Sequence, residues 1–362
     1  MFNYSQNEKN NQTRYSQLLN EMYSELRLEM GLPQKSKDYH TSVSNRLMRM
    51  YDIAIPHDRQ KAKQLSRSMT SSAPQKFEVF LSGMRRQKNV DLNRIYQKRG
   101  ASLNKLGFSQ YSIIYKNQMA IAPDGTPIFP YHFLFRPVVS DCINELFKQL
   151  DLDDLKIGEV SEGHLDLRPE FSFDDIMHMS EFVQRVPSFM ISQSMIGSGA
   201  SIPNAIHAHA FPVKTTEFPL FSSYCASSGF DLPGLLALDQ ITFGIIVTGT
   251  PFEIACVFMA LTKEFKLPSN HYFQYRTDFN GLTGLYIPRT SEIPMVERLA
   301  EAEWCFGAFE VLGLFDAINE DIYHTLTTEE AEEAIKSVTV QAPDLRNEFI
   351  KKAVSVLKEL KC

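Results

Sequence analysis

Residues 197–212 read Gly-Ser-Gly-Ala-Ser-Ile-Pro-Asn-Ala-Ile-His-Ala-His-Ala-Phe-Pro, a glycine-rich turn that runs directly into an alternating stretch holding two histidines. Period-two alternation is the pattern of a strand, whose side chains two positions apart share a face, so His207 and His209 project together. Gly197 and Gly199, with no Cβ, let the backbone N–H groups of the turn through Ser201 approach an anion closely. Paired imidazoles beside such a turn are what group transfer from a phosphate through a covalent histidine requires. The feature thus demands a sheet whose strand begins at an ordered turn.

The 362 residues are 43% hydrophobic and 22% charged, the composition of a globular chain with a sizeable core. No apolar run approaches the roughly 18 residues that cross a bilayer, so no membrane partner is expected. The N-terminus, Met1 to Thr13, lacks the apolar core of a signal peptide, and a cytoplasmic location is expected. The five cysteines, Cys142, Cys225, Cys256, Cys305 and Cys362, are scattered and form no Cys-x-x-Cys pair, which fits a reducing compartment better than a disulfide framework. Cys256 and Cys305 read as core thiols in apolar helical contexts.

Net charge is −6, which argues against bulk nucleic-acid binding. Charge is nevertheless blocked, with 12 Lys/Arg against two acids from Arg59 to Lys105, and 12 acids against three Lys/Arg from Asp141 to Glu181. Such blocks are solvated faces, or else Arg85 and Arg86 in the basic one reach a polyphosphate.

Leu18, Leu19, Met22, Leu26 and Met30 fall at helical spacing, and Gly31-Leu-Pro33 closes that helix. Residues 65–75 are Ser/Thr-rich and read as a linker that ends a polar, helical N-terminal extension, 1–75. Beyond it, Tyr111–Lys116, Gln118–Ile121, Tyr131–Pro137, Phe189–Ile196, Ile241–Val247, Tyr272–Tyr275 and Gly284–Arg289 read as strands. Ser172-Phe-Asp-Asp175 is a capping box opening a helix that Pro187 ends, and Thr250-Pro251-Phe-Glu253 opens another running to about Phe265. Further helices are expected at about 295–304, 328–338 and 343–361. Helices and strands mix without regular alternation, so the expected class is α+β with an antiparallel sheet.

Several side chains have two readings at this point. His132 and Arg136 alternate on one strand face and either line the site or sit at a sheet edge. Ser201 and Asn204 touch phosphate or serve local turn bonding. Lys214 and Arg289 are phosphate partners or solvated bases. A zinc site would combine His207 and His209 with His132, His164, His178 or His271, but no carboxylate or cysteine sits at motif spacing, and no metal is expected. His40, His57 and His324 read as surface residues. The sequence holds no GxxxxGK[ST], HExxH, GxSxG or GxGxxG, which leaves P-loop, zincin, α/β-hydrolase and Rossmann readings without support.

Gly199-Ala-Ser-Ile-Pro203 followed by His207-Ala-His209-Ala resembles the signature of the histidine-triad superfamily, His-φ-His-φ-His/Gln with φ apolar. Anchoring on Gly199–Pro203 puts Ala205 at the first triad position, His207 at the central one and His209 at the third. A rival register makes His207 first, His209 central and Phe211 third; the first register keeps the spacing and a polar third residue. Tyr131-His-Phe-Leu-Phe-Arg-Pro137 is similar to the Gly-His-φ-Leu-φ-φ-Pro strand of the same superfamily. Asn280-Gly-Leu-Thr-Gly-Leu-Tyr-Ile-Pro-Arg289 resembles the second-half strand pair of its galactose-1-phosphate uridylyltransferase-like branch. Met84-Arg-Arg-Gln-Lys, Gln97-Lys-Arg99, Phe211-Pro-Val-Lys214 and Ala302-Glu-Trp-Cys-Phe-Gly-Ala308 resemble segments of the GDP-L-galactose phosphorylase and diadenosine tetraphosphate phosphorylase group.

The resemblance implies two histidine-triad-like halves, 76–225 and 226–362, after the extension. It implies nucleotidyl transfer or phosphorolysis of a nucleoside diphosphate sugar or dinucleotide polyphosphate, with a nucleotide or nucleotide-sugar substrate, inorganic phosphate as an acceptor, and no cofactor. His207 is then the nucleophile and His209 the supporting donor. Gly197, Gly199, Ser201, Asn204, Arg85, Arg86, His132, Arg136, Lys214 and Arg289 are the candidate substrate and phosphate contacts. Ala205 and His209 depart from the phosphorylase pattern, which usually has His and Gln there. Two alternatives follow: a hydrolase of the same fold acting on a phosphoester or phosphoramidate, and a nucleotide-binding protein without turnover. No nucleic-acid partner is expected, and oligomeric state stays open, a homodimer being one option.

Overall fold

The structure, a computed structural model, describes residues 170–200, 206–213, 218–222, 226–227, 232–279 and 281–361. Nearer the N-terminus it describes 65–70, 76–81, 112–115, 119–124, 128–137 and 155–158, with Ser44, Leu47, Met48 and Tyr51. The expected helix around 18–30 lies outside these residues.

Strands β1 (Leu65–Thr70) and β2 (Lys76–Leu81) form an antiparallel pair, with Leu65 opposite Leu81. Leu65–Thr70 is therefore a strand and not linker. Ser66 and Ser68 face solvent while Met69 is buried, so the serines are the outer half of a period-two pattern.

The first part of the main sheet comprises β3 (Ser112–Tyr115), β4 (Met119–Pro123), β5 (Phe133–Pro137), β6 (Leu155–Gly158), the helix α1 (Phe173–Arg185), β7 (Phe189–Ser194) and β8 (Ala208–Pro212). After the short α2 (Pro219–Ser222) come β9 (Ala226–Ser227), β10 (Leu235–Asp239), β11 (Phe243–Thr248), the helix α3 (Pro251–Phe265), β12 (Ser269–Arg276) and β13 (Gly281–Pro288). These strands make one sheet of eleven in the order β6-β3-β4-β5-β8-β7-β12-β13-β11-β10-β9, and each neighbouring pair is antiparallel. The chain runs hairpin, helix, hairpin twice: β4–β5, α1, β7–β8, then β10–β11, α3, β12–β13. The two passes meet at β7 and β12, where Ser194 lies opposite Asn270 and Met190 opposite Gln274. Strand β10 was not anticipated, because Leu-Leu-Ala-Leu shows no alternation.

Both helices begin as expected. Ser172 and Asp175 form a reciprocal capping box on α1, as Thr250 and Glu253 do on α3, which also has Pro251 in its first turn. The chain then forms α4 (Glu297–Glu301), a 3-10 turn at Glu310–Leu312, β14 (Leu314–Asp316), α5 (Glu320–Thr325), α6 (Thr328–Val338) and α7 (Pro343–Lys361). Strand β14 lies parallel beside β2, giving a three-stranded sheet β1-β2-β14. Cys305 lies past α4 and is exposed, not a core thiol; Cys256 on α3 is half-buried.

Helices α1, α3 and α7 bury one face of the large sheet through Phe135, Phe182, Phe189, Phe258, Phe273 and Phe349. The small sheet and the chain from Trp304 onward bury the other through Phe77, Phe129, Phe211, Tyr272, Phe309 and Phe315. No described helix is long and apolar enough to cross a membrane.

Where the two passes meet, His271 lies directly opposite Gln193, both buried beneath the helices. Burial lowers the His271 pKa to about 3, so its ring stays neutral where an unfolded histidine, near 6.5, takes up a proton. Stability should therefore fall by about 1.4 kcal/mol per pH unit as pH drops from 6.5 toward 3, from this residue alone. Urea unfolding at pH 7, 6 and 5, compared with His271→Gln, measures it; an unchanged slope in the variant rejects this origin.

Candidate active site

Strand β8 is held between β5 and β7. Leu134 lies opposite His209 on one side and Ser192 on the other, so all three point to the face that the C-terminal segment covers. His132, just before β5, falls on the same face. The Ile128 backbone N–H donates to His132 Nδ1 at 3.1 Å. The ring proton therefore sits on Nε2, which donates to His209 Nδ1 at 2.8 Å. His209 in turn carries its proton on Nε2. Beyond it lies His207, ring centroids 5.0 Å apart and nearly perpendicular, while Phe309 packs 5.6 Å from His209. His132 and His207 are buried and His209 is half-buried. The three imidazoles form a row whose bond directions fix the tautomer of the middle ring.

Asp124, at the end of β4, adds a carboxylate 3.4 Å from His132 Nδ1, farther than the Ile128 amide that occupies that lone pair. Its own N–H donates to the His132 carbonyl at 2.9 Å, closing the turn between β4 and β5. Asp124, His132 and His209 bring donor atoms within 4.8 Å of one another. Two nitrogens sharing a tetrahedral zinc ion sit about 3.3 Å apart, given bonds near 2.0–2.1 Å. The 2.8 Å spacing and the amide already on Nδ1 instead match a hydrogen-bonded relay.

His132 was expected as a phosphate contact. Both its nitrogens are engaged within the protein and it is fully buried, so it acts on His209. The turn also differs from expectation. Gly197 and Gly199 have φ of +79° and +86°, and a Cβ on Gly199 would lie 2.2 Å from the Phe306 carbonyl oxygen, so glycine is required for close packing. The Ser198 N–H bonds the Met195 carbonyl, and the Gly199 N–H bonds the Glu292 carboxylate at 3.2 Å. Those two amides serve the protein, not an incoming anion.

Arg289 is likewise inside. It is fully buried, and its five N–H groups donate to Val338 O, Ser198 O, Asn270 Oδ1, Ser291 O and Phe306 O. The expected phosphate partner is a structural clamp with no donor left over. Arg136 is also buried and donates through Nε to Ile206 O at 3.4 Å. Arg85, Arg86, Ser201, Asn204, Ala205 and Lys214 lie outside the described residues, as do His40, His57 and His164. His178 is buried on α1, and His324 is exposed as expected.

Sequence reading missed Asp124, Phe309 and Glu292. Phe309 and Glu292 join the site through contacts distant in the chain, and Asp124 joins through the turn between β4 and β5. The second pass carries no imidazole on this face. Following the register through Tyr272, opposite Ser192, to β13 gives Thr283, Leu285 and Ile287.

No protein-family model matches the chain, and no curated protein does. Solved structures do. The chain shares the α+β fold of yeast Ap4A phosphorylase Apa2. Against that protein in complex with AMP, 81% of this chain and 95% of the other align with a TM-score of 0.50 at 11% identity. Against its complex with Ap4A, the figures are 82% and 98% with a TM-score of 0.50 at 11% identity. The α+β class with an antiparallel sheet, expected from the sequence, is therefore the one observed.

Replacing the clamp tests its reassignment. Arg289→Met should cost about 3 kcal/mol or more, since it leaves buried acceptors without donors. Thermal unfolding measures this. Unchanged stability with weakened nucleotide binding would restore the phosphate role.

Proposed function

We propose that this chain is a nucleotidyltransferase of the phosphorylase type, acting on a dinucleoside polyphosphate or a nucleoside diphosphate sugar through a nucleotidyl group carried on His207. The observation that supports it most is the hydrogen-bonded His132–His209 pair set beside His207 on one sheet face. Its setting, a fold shared with a phosphorylase that has been captured with Ap4A, adds to that support.

The chemistry follows from the tautomers. His207, neutral, attacks the α-phosphorus with a ring-nitrogen lone pair; a P–N bond forms and the P–O bond to the departing nucleoside polyphosphate or sugar phosphate breaks. His209 keeps its proton on Nε2 because His132 occupies Nδ1, so it presents a donor to a phosphoryl or leaving-group oxygen. A polyphosphate leaves as an anion, so this donor need only hydrogen-bond. Inorganic phosphate then attacks the same phosphorus, the P–N bond breaks, His207 is restored, and a nucleoside diphosphate departs. A glycine turn pinned by Glu292 and Arg289 would hold the start of the strand rigid during both displacements.

Incubation with α-labelled dinucleoside tetraphosphate or nucleotide sugars, quenched at high pH, should trap an acid-labile protein adduct that His207→Ala lacks. Turnover should require phosphate; phosphate-independent turnover selects hydrolysis. Absence of adduct and of turnover across the substrate panel sinks the covalent reading. His132→Phe, which frees His209 Nδ1, should lower turnover about 100-fold while leaving the fold intact; full activity in that variant removes the relay from the mechanism.

A further inference from the structure

We propose that Gln193 and His271 together hold a buried water molecule that bridges the two passes of the fold at their seam. The inference stands apart from the nucleophile assignment. In the large sheet the passes join through β7 and β12. On the helix side of that junction Phe273 lies opposite Ile191, an apolar pair in the core, and His271 lies opposite Gln193. Side chains directly opposite on antiparallel strands have Cβ atoms about 4.5–5.5 Å apart. Gln193 is fully buried and His271 is 2% exposed.

Three polar atoms of this pair, Gln193 Nε2, Gln193 Oε1 and His271 Nδ1, have no hydrogen-bond partner among the described residues. The other ring nitrogen of His271 is committed. It lies 2.8 Å from Ser269 Oγ, whose one proton goes to the Met195 sulfur at 3.0 Å. Nε2 therefore donates, and Nδ1 keeps a bare lone pair. Burial holds that ring neutral, with a pKa of about 3. The amide adds a donor at one end and an acceptor at the other. Buried groups of this kind are nearly always paired, and an internal water is the usual partner where the protein itself does not reach.

The neighbours select water over an ion. Across the sheet at this level the helix face carries Phe135, Ala208, Gln193, His271, Tyr286 and Ile245. No member of that row is charged, and the buried carboxylate of α1, Asp175, closes the capping box with Ser172. A cation would suit Nδ1 and Oε1, but no carboxylate stands in the row to balance it. An anion would suit Nε2 alone and be repelled by the two lone-pair atoms. Water both donates and accepts, so one hydrogen meets Nδ1 while the second hydrogen or the oxygen meets the amide. Phe258 at 5.0 Å and Tyr286 at 5.1 Å wall the His271 ring and leave its edge for bonding. On the other side of Gln193 stands Ala208, a methyl between the amide and Phe135, the small neighbour that a water there requires. Ala208 separates His207 from His209, so the bridge braces the strand beside the histidines from the opposite face of the sheet.

A crystal structure of the unsubstituted protein with ordered solvent should place a water oxygen about 2.7–3.2 Å from both His271 Nδ1 and the Gln193 amide. Oxygen-17 relaxation dispersion of the solvent counts long-lived internal waters in solution, and Gln193→Leu, which offers no polar atom, should lower that count by about one. A direct hydrogen bond between Gln193 and His271, or a dry junction, overturns the proposal whether or not the variant folds. So does a folded Q193L that keeps the full count. Neither measurement involves a nucleotide, so this proposal and the covalent reading of His207 fail separately.

Discussion

A guanidinium with no solvent around it is tolerated only when each N–H finds an acceptor, and Arg289 meets that condition with acceptors from five separate stretches of chain. They come from the glycine turn, the start of β12, the loop after β13, the segment at Phe306 and the end of α6. Because a planar fork accepts little misalignment, those five stretches must converge together or not at all. Asn270 extends the clamp, accepting from Arg289 and donating to Ser198 O and Ser194 Oγ. The place where they converge is the end of the sheet at which the histidine strand begins, so the geometry of the imidazole row inherits its precision from a residue that touches none of the imidazoles.

The row itself is an exercise in direction. An amide points at one ring and that ring points at the next, which leaves the outermost proton on the far nitrogen of His209. No charge is needed to set it up, which suits a buried position. The doubled topology gives it a frame: two hairpin–helix–hairpin passes lie in one eleven-stranded sheet, yet only the first supplies imidazoles on this face. The second fills the corresponding face with Leu285 and Ile287 and contributes support.

Much of this was legible in the sequence where the signal is local. The capping boxes at Ser172 and Thr250 opened helices as read, and Tyr131–Pro137 and Phe189–Ile196 became β5 and β7 with trimmed ends. The shared face of His207 and His209 followed from strand period alone. Local composition misled at Leu65–Thr70, where outward serines masked a strand, and at Leu235–Asp239, where a fully apolar run hid one. What could not be read is what depends on register and on distant chain. Arg289 after a strand looks like a solvent-facing base until Phe306 and Val338 fold over it, and His132 looks like a ligand contact until cross-strand pairing sets it against His209.

Strand β14 pairs with β2, Leu314 opposite Glu78, and Arg67 on β1 reaches back to the Tyr323 carbonyl, 256 positions away. The small sheet and Phe309 form the roof over the histidine face, so that roof joins β1 and β2 to the chain that follows Trp304. Such distant pairings carry a large loop-closure entropy and form slowly. During synthesis the histidine row would therefore stay uncovered, whatever its own strands had achieved, until the ribosome had released residue 316 and the first hairpin had found its late partner. The row's cover is in this sense a matter of timing: the part of the roof from Trp304 onward is made after every strand of the large sheet.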